Sequence, residues 1–264
     1  GGDPRRSSWR RDLAIAHSKI ADIQEAEGQL VPALESMRKC LFLMAGLAAE
    51  NPEDVDLQRQ LAATQSRLAS ILFAQEKYSD ALKDYRLALE SYASLAARDP
   101  TNSNWQRDVA DTRMRVGTVL SQQQDYAAAL LEFRDALAIF HRVAELNPGN
   151  ADVQSFIASM RGWIGRTLRD LGRLDESQEE LQQSVAILEP LTADHSQNAR
   201  LLGDLARAHW NAAVGAAKLG RKEQALEGFR RAEAQMVRVI EMAPSVAKWR
   251  QDLENIRAWI GSLG

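Results

Sequence analysis

The 264-residue sequence has few of the features that mark disulfide-rich, zinc-binding or membrane-spanning proteins. Its single cysteine, Cys40, excludes an intramolecular disulfide framework and any zinc site built from several cysteines. Seven prolines and 15 glycines exclude collagen-like and low-complexity chains. No apolar run approaches the roughly 18 residues that a membrane-spanning helix needs, so no membrane contact is expected. The scarcity of cysteine favours a reducing compartment, and we therefore expect a cytoplasmic protein.

The charge balance excludes partners that are bound through a general electrostatic attraction. Charged residues make up 26% of the chain, and the formal net charge is -3. A mildly acidic protein offers no overall attraction for nucleic acid or anionic lipid, so we predict neither as a partner. Hydrophobic residues make up 45%, which is ordinary for a folded globular chain.

The sequence contains an internal repeat with a constant step of 48 residues. The segment from Trp9 to Leu13 returns at residues 57, 105, 153, 201 and 249. Prolines keep the same step at Pro4, Pro52, Pro100, Pro148 and Pro244, with Ser196 in one place. We therefore predict one domain over 1–264, with five repeats and a C-terminal cap: 4–51, 52–99, 100–147, 148–195, 196–243 and 244–264.

Each repeat is predicted to form two α-helices, because its apolar positions follow a helical period and no segment alternates with period two. We expect the first helix to begin at the proline and to run for about 23 residues. Asn51, Asp99 and Asn147, just before three of the prolines, are the expected N-caps. The first helix should end near a position that takes the left-handed conformation: Gly28, Glu76, Gln124, Gly172 and Gly220.

A column here is the set of residues at one equivalent position of successive repeats. Three columns predict how neighbouring repeats pack. Alanine occupies one column throughout, which lets helices approach closely: Ala14, Ala62, Ala110, Ala158 and Ala206. Beside it we expect a buried column of larger residues, Ile20, Leu68, Val116 and Ile164. The alanine column ends at Glu254, as a cap facing water requires. Trp9, Trp105 and Trp249 share a column with Leu57, Val153 and Leu201, so we assign them to packing rather than to an aromatic ligand ladder.

The repeats resemble the tetratricopeptide repeat (TPR). The motif appears as Val116-Gly117-x-x-Leu120 followed by Ala129-x-x-x-Phe133, and again as Leu68-Ala69-x-x-Leu72 followed by Ala81-x-x-x-Tyr85. The family repeat has about 34 residues, and the extra residues here lengthen both helices. Cys40 falls on the small position of the second helix, which implies burial. The resemblance implies an all-α, right-handed α–α superhelix, or solenoid, of five helical hairpins and a C-terminal capping helix.

The resemblance also implies a binding surface, because first helices of this family line the concave face and hold a protein or peptide partner. Four residues of the fourth and fifth repeats suit an acidic or carboxylate-bearing peptide. Three more occupy matching columns in the second and third repeats. The predicted partner-binding residues are Phe73, Asp111, Met114, Arg166, Arg169, Arg207 and Trp210. Ion pairing of these arginines on a solvated face is the alternative interpretation.

We therefore predict an interaction scaffold rather than an enzyme, with no cofactor and no metal site. The acidic cluster Asp175, Glu176, Glu179 and Glu180 has the spacing of a solvated helix face, and no His or Arg in the sequence is expected to order it for catalysis. One alternative is a ligand-sensing module that controls an effector domain outside this chain. A second is an enzyme built on helical hairpins. We also expect the chain to be the C-terminal portion of a larger protein.

Overall fold

The computed structural model describes residues 4–244 and 246–263. Throughout these residues the regular structure is α-helical and contains no β-strand, which confirms the predicted all-α repeat fold. No helix in this part of the chain is both long and apolar enough to cross a membrane. The helices are α1 (Pro4–Ala26), α2 (Leu30–Glu50), α3 (Val55–Ala74), α4 (Tyr78–Arg98), α5 (Ser103–Gln122), α6 (Tyr126–Leu146), α7 (Ala151–Asp170), α8 (Leu174–Asp194), α9 (Ala199–Lys218), α10 (Lys222–Met242) and α11 (Ala247–Leu263).

The helices group into two compact units, an N-terminal unit of α1–α5 and a C-terminal unit of α6–α11. In the N-terminal unit, α1 packs with α2 and α3 with α4, and α5 lies against α4. In the C-terminal unit, α7 packs with α8 and α9 with α10, α6 lies against α7, and α11 lies against α10. Four predicted repeats are thus helical hairpins. The repeat predicted over 100–147 contributes α5 to one unit and α6 to the other, and the single domain over 1–264 stays a prediction.

The first helices α3, α5, α7 and α9 begin three residues later than predicted, so Asn51, Asp99 and Asn147 are wrong as N-caps. The side-chain oxygen of Asn102 accepts hydrogen bonds from the backbone N–H groups of Asn104 and Trp105, at 3.1 and 3.2 Å. Such an oxygen satisfies donors that have no partner within the helix. Pro52, Pro100 and Pro148 instead follow the preceding second helices, whereas α1 begins at Pro4 as predicted. The observed caps are Asp54, Asn102, Asn150 and Asn198.

The predicted left-handed column is confirmed at the end of each first helix. Backbone φ is positive at all five positions, including the non-glycine residues Glu76 at 60° and Gln124 at 63°. The N–H of the following residue closes the helix by bonding back into it, as from Arg173 to the carbonyl oxygen of Leu168 at 2.9 Å. This bond satisfies a carbonyl that would otherwise have no partner at the helix end. The connection to the second helix is therefore only three residues long.

The predicted alanine column is buried, since none of its five residues is more than 1% exposed. Glu254, at the end of this column, is exposed as expected. Two neighbouring predictions are wrong, because Ile20 is 44% exposed and Trp9 is 74% exposed. Both lie on α1, whose outer face meets no earlier helix among the described residues, whereas the equivalent Leu68 and Leu57 are buried.

Aromatic residues fill the core of the C-terminal unit. Phe133 of α6 stacks on Trp163 of α7 with ring centroids 5.5 Å apart. Phe229 of α10 stacks on Trp259 of α11 at the same distance. Both phenylalanines are fully buried and occupy the same column of the repeat. This column therefore joins α6 to α7 and α10 to α11.

Of two further predictions about side chains, one is confirmed. Cys40 is buried and free, as its small column position implied, and burial raises the pKa of its thiol. The expectation that no arginine orders the acidic cluster of α8 is wrong, because Glu176 pairs with Arg173 at 2.5 Å and Glu180 pairs with Arg161 of α7 at 2.7 Å.

His209 of α9 is a buried titratable group, and we expect it to make stability depend on pH. It is 6% exposed, and its Nε2 atom lies 3.7 Å from Glu189, which also contacts Arg231. Burial, assisted by Arg231 and opposed by Glu189, lowers the pKa of His209. The unfolded chain then binds more protons as pH falls through the ordinary histidine range near 6.5, so acidification should reduce stability.

This pH dependence can be measured by urea unfolding at pH values of about 7.5 and about 5. His209→Gln, which introduces the residue found at the equivalent Gln65, should lose less stability than the natural chain over this interval. The carboxylates of Glu189 and Glu227, which face the same region, remain in both proteins and serve as the common background. An equal loss in both proteins would contradict the assignment to His209.

Candidate functional site

A groove on the C-terminal unit is formed by the first helices α7, α9 and α11, with α8 at its floor. Residues three or four apart on one helix share a face, and this spacing places Ser159, Trp163 and Arg166 of α7 along the groove. The cavity is about 280 Å³. Its lining comprises Ala158, Ser159, Gly162, Trp163, Arg166, Ser184, Leu188, Asp204, Arg207, Ala208, Asn211 and Lys248. Three of these residues are cationic and one is acidic. We call this cavity the arginine groove.

Arg166 is held in the groove by an aromatic ring rather than by a carboxylate. Its guanidinium carbon lies 4.7 Å from the centroid of the Trp163 ring. No carboxylate of the described residues forms an ion pair with it. Arg166 is exposed to solvent, but partial desolvation within the groove, followed by the like charges of Arg169 and Arg207, lowers its pKa, and Asp170 opposes this. Arginine stays protonated at neutral pH, so the groove presents a positive charge with unused hydrogen-bond donors.

Arg207 is already paired. It donates a hydrogen bond to Asp204, one turn earlier on α9, and Asp204 also lies 3.5 Å from Arg200. Arg200 in turn binds Asp152 of α7 at 2.6 Å. This network neutralises part of the charge of Arg207 and fixes α9 against α7. The ion-pair interpretation therefore holds for Arg207, while Arg166 and the exposed Lys248 remain available at the same cavity.

Protein-family models match three segments of the chain. One tetratricopeptide-repeat model covers residues 61–99 and 109–148, and a second covers residues 158–187. These three segments match the TPR family. Two of the matched segments fall within predicted repeats, and the segment 109–148 extends one residue beyond the repeat predicted over 100–147. The 48-residue step is compatible with an extended form of the TPR. TPRs generally mediate protein–protein interaction, and scaffolds built of them are generally not enzymes.

Solved structures share the TPR-like fold with this chain. BtubC (BKLC) from P. vanneervenii is 21% identical, with 89% of this chain and 83% of that chain covered and a TM-score of 0.65. The apo form of RapI is 14% identical, with coverages of 94% and 83% and a TM-score of 0.65. A putative kinesin light chain of Podosopora anserina with TPR-like repeats is 14% identical, with coverages of 87% and 97% and a TM-score of 0.61. Among curated protein sequences, none matches the chain.

The structure brings together two of the four residues predicted for the binding face of the fourth and fifth repeats. Arg166 and Arg207 line the arginine groove. Arg169 does not line it: its side chain is only 13% exposed, and its Nε atom lies 3.8 Å from Asp170. Trp210 packs against the core between α9 and α10 instead. The Nη1 atom of Arg169 and the Nε1 atom of Trp210 have no hydrogen-bond partner among the described residues.

The other three predicted residues belong to the N-terminal unit. Phe73 of α3 lies 5.5 Å from Tyr78 between ring centroids. Asp111 of α5 is half-buried, and burial raises its pKa against the opposing charges of Arg107 and Arg115. Met114 is half-buried one turn after Asp111. Their role in binding stays a prediction.

Sequence reasoning missed three residues of the arginine groove. Trp163 supplies the aromatic contact that we had assigned to Trp210, and its position three residues before Arg166 could have indicated this pairing. Asp204 precedes Arg207 by the same interval, which is typical of a helical ion pair. Lys248 was missed because the sixth half-repeat had been treated only as a cap.

Proposed function

We propose that the arginine groove binds an acidic or C-terminal carboxylate-bearing peptide segment of a partner protein. The main support is that Arg166 stacks on Trp163 and forms no ion pair with any carboxylate of the described residues. A guanidinium positioned in this way can donate two parallel hydrogen bonds to one carboxylate of a ligand. Arg207 and Lys248 add positive charge to the same cavity.

The electrostatics of the groove favour this class of ligand. Binding a carboxylate next to Arg166 relieves the repulsion between neighbouring arginines that contributes to the lowered pKa of Arg166. A charge-assisted hydrogen bond contributes about 1.5–3 kcal/mol, which corresponds to roughly a tenfold to hundredfold change in affinity. Because the groove is open to solvent, binding should also weaken as salt is added.

The proposal predicts that Arg166→Ala lowers the affinity for an acidic peptide by about tenfold or more. Fluorescence anisotropy can measure this with three labelled peptides: an acidic peptide with a free C-terminus, its C-terminally amidated form, and a counterpart in which each glutamate is glutamine. The first peptide should bind most tightly. The amidated form tests the terminal carboxylate, and the glutamine form tests the side chains.

Arg230→Ala is the matched control. Arg230 is an exposed arginine of α10 outside the groove, so this variant removes the same charge without touching the proposed site. Thermal unfolding should show little change for either variant, because Arg166 forms no ion pair that would be lost. An affinity that falls equally in the two variants, or that does not fall in Arg166→Ala, would exclude the groove as the binding site.

A further inference from the structure

Three columns of the repeat change together at the contact of α8, α9 and α10. One column of the second helix holds a leucine in every repeat except the fourth, where Gln178 replaces it: Leu34, Leu82, Leu130, Gln178 and Leu226. One column of the first helix loses its side chain in the fifth repeat: Ile23, Ile71, Val119, Thr167 and Gly215. A second column of the second helix also loses its side chain in the fifth repeat: Ser36, Asp84, Glu132, Glu180 and Gly228.

The first two changes are coupled by their geometry. Gln178 is only 3% exposed, and a Cβ atom added to Gly215 would overlap with its Oε1 atom. The absence of a side chain at Gly215 thus makes room for the Gln178 amide. Despite this space, Oε1 of Gln178 has no hydrogen-bond partner among the described residues. A buried polar atom without a partner is costly, and the leucine of the other repeats would avoid this cost.

The third change opens a cavity beside this amide. In the fourth repeat, Arg161 and Glu180 form an ion pair of 2.7 Å between the first and second helix. The equivalent positions of the fifth repeat are His209 and Gly228, which together are much smaller. The resulting cavity is about 250 Å³. Gln178 of α8, His209 of α9, and Glu227, Gly228 and Arg231 of α10 line it. We call it the amide pocket.

The charged groups at the amide pocket are already balanced. Arg231 donates a hydrogen bond to Glu227 at 2.5 Å and also contacts Glu189 at 3.4 Å. At its floor the pocket offers the neutral amide of Gln178 and the buried ring of His209. A charged ligand placed against this floor would lose hydration without gaining a countercharge. A neutral group with hydrogen-bonding atoms fits better.

We propose that the amide pocket binds a primary carboxamide, from a free small molecule or from an asparagine or glutamine side chain of a peptide. A primary carboxamide carries both a donor and an acceptor, and it can pair with the Gln178 amide through two hydrogen bonds. Oε1 of Gln178 faces Gly215, and a rotation about the last side-chain torsion, which is soft, would turn it into the pocket to accept a hydrogen bond from the ligand. The pocket uses residues 209, 212 and 213 of α9, whereas the arginine groove uses 204, 207, 208 and 211, so the two sites lie on different faces of this helix.

The proposal can be tested by NMR titration of the full 264-residue chain, with the backbone amide signals of Gly215 and Gly228 as reporters. L-Glutamine and L-glutamate form one pair of probes, which differ only in carboxamide against carboxylate. The tripeptides Ac-Ala-Gln-Ala and Ac-Ala-Glu-Ala with N-methylamide ends form a second pair, which lacks any other primary amide. We expect saturable shifts with the glutamine member of at least one pair. The pair that binds more tightly identifies the source of the amide.

The decisive variant is Gln178→Leu, which restores the residue of the other four repeats. It should abolish the saturable shifts while raising the melting temperature or leaving it unchanged, so that loss of binding cannot be ascribed to unfolding. Gln183→Leu, at an exposed position of α8 outside the pocket, makes the same change and should retain binding. The proposal fails if glutamate binds as well as glutamine, if Gln178→Leu binds like the natural chain, or if neither glutamine probe gives saturable shifts.

Discussion

Replacing Phe229 with alanine should lower the free energy of unfolding by about 3–5 kcal/mol. Phe229 is fully buried, and its ring stacks on Trp259 at 5.5 Å between centroids. Truncation removes apolar contacts on α10 and leaves a cavity against α11 that the helices cannot fully close. Urea unfolding followed by circular dichroism measures the loss.

Phe42→Ala provides the matched control for this prediction. Phe42 also lies on a second helix, α2, but its side chain is 80% exposed. Its replacement by alanine should therefore change the free energy of unfolding by less than about 0.5 kcal/mol. In a repeat protein each repeat is stabilised chiefly by its neighbours, so Phe229→Ala should also release α11 before the rest of the C-terminal unit. Similar losses in the two variants would mean that burial of Phe229 does not stabilise the fold.

The repeat step predicted the packing columns because equivalent residues meet equivalent neighbours. The alanine column and the left-handed positions were found in this way, and the structure confirms both. Ile20 and Trp9 failed for the same reason: the column argument assumes a helix on each side, and α1 has none before it among the described residues. Periodicity thus predicts burial only where the neighbouring repeat is present.

The helix starts were mispredicted because the proline column was given more weight than the column of capping Asp and Asn residues. Proline is favoured at the first position of a helix, but here Pro52 and Pro100 follow the preceding helix. The column of Asp54, Asn102, Asn150 and Asn198 carries the capping oxygens and has the same 48-residue step. An Asx side chain two residues after the proline was therefore the stronger signal, since its oxygen accepts hydrogen bonds from one or two N–H groups that have no partner within the helix.

The two candidate sites differ in how far the sequence could predict them. Column positions predicted that Arg166 and Arg207 lie on the same binding face. They did not predict that Arg166 stacks on Trp163 or that Arg207 forms an ion pair with Asp204. The amide pocket was missed because we searched for residues that recur in a column. Gln178, Gly215 and Gly228 are informative as departures from their columns, and only the structure shows that they meet.

Two glycines of α7 should respond to the same substitution with opposite signs. A Cβ atom at Gly165 would lie 2.6 Å from Cγ of the buried Leu181 and 3.1 Å from the carbonyl oxygen of Ser177. The backbone of α8 would have to move, so Gly165→Ala should lower the free energy of unfolding by about 1–3 kcal/mol. A Cβ atom at Gly162 would meet only Ser184 Oγ at 3.9 Å, an ordinary contact distance.

Gly162→Ala should therefore raise the free energy of unfolding by about 0.5–1 kcal/mol, because alanine loses less backbone entropy than glycine in a helix. The two variants have the same helix, composition and charge, so the difference of about 1.5–4 kcal/mol between them isolates the close approach of α7 to α8 at Gly165. Urea unfolding of both proteins measures it directly. If Gly165→Ala proved as stable as Gly162→Ala, Leu181 would have another rotamer available, and the contact between the two helices would not require glycine.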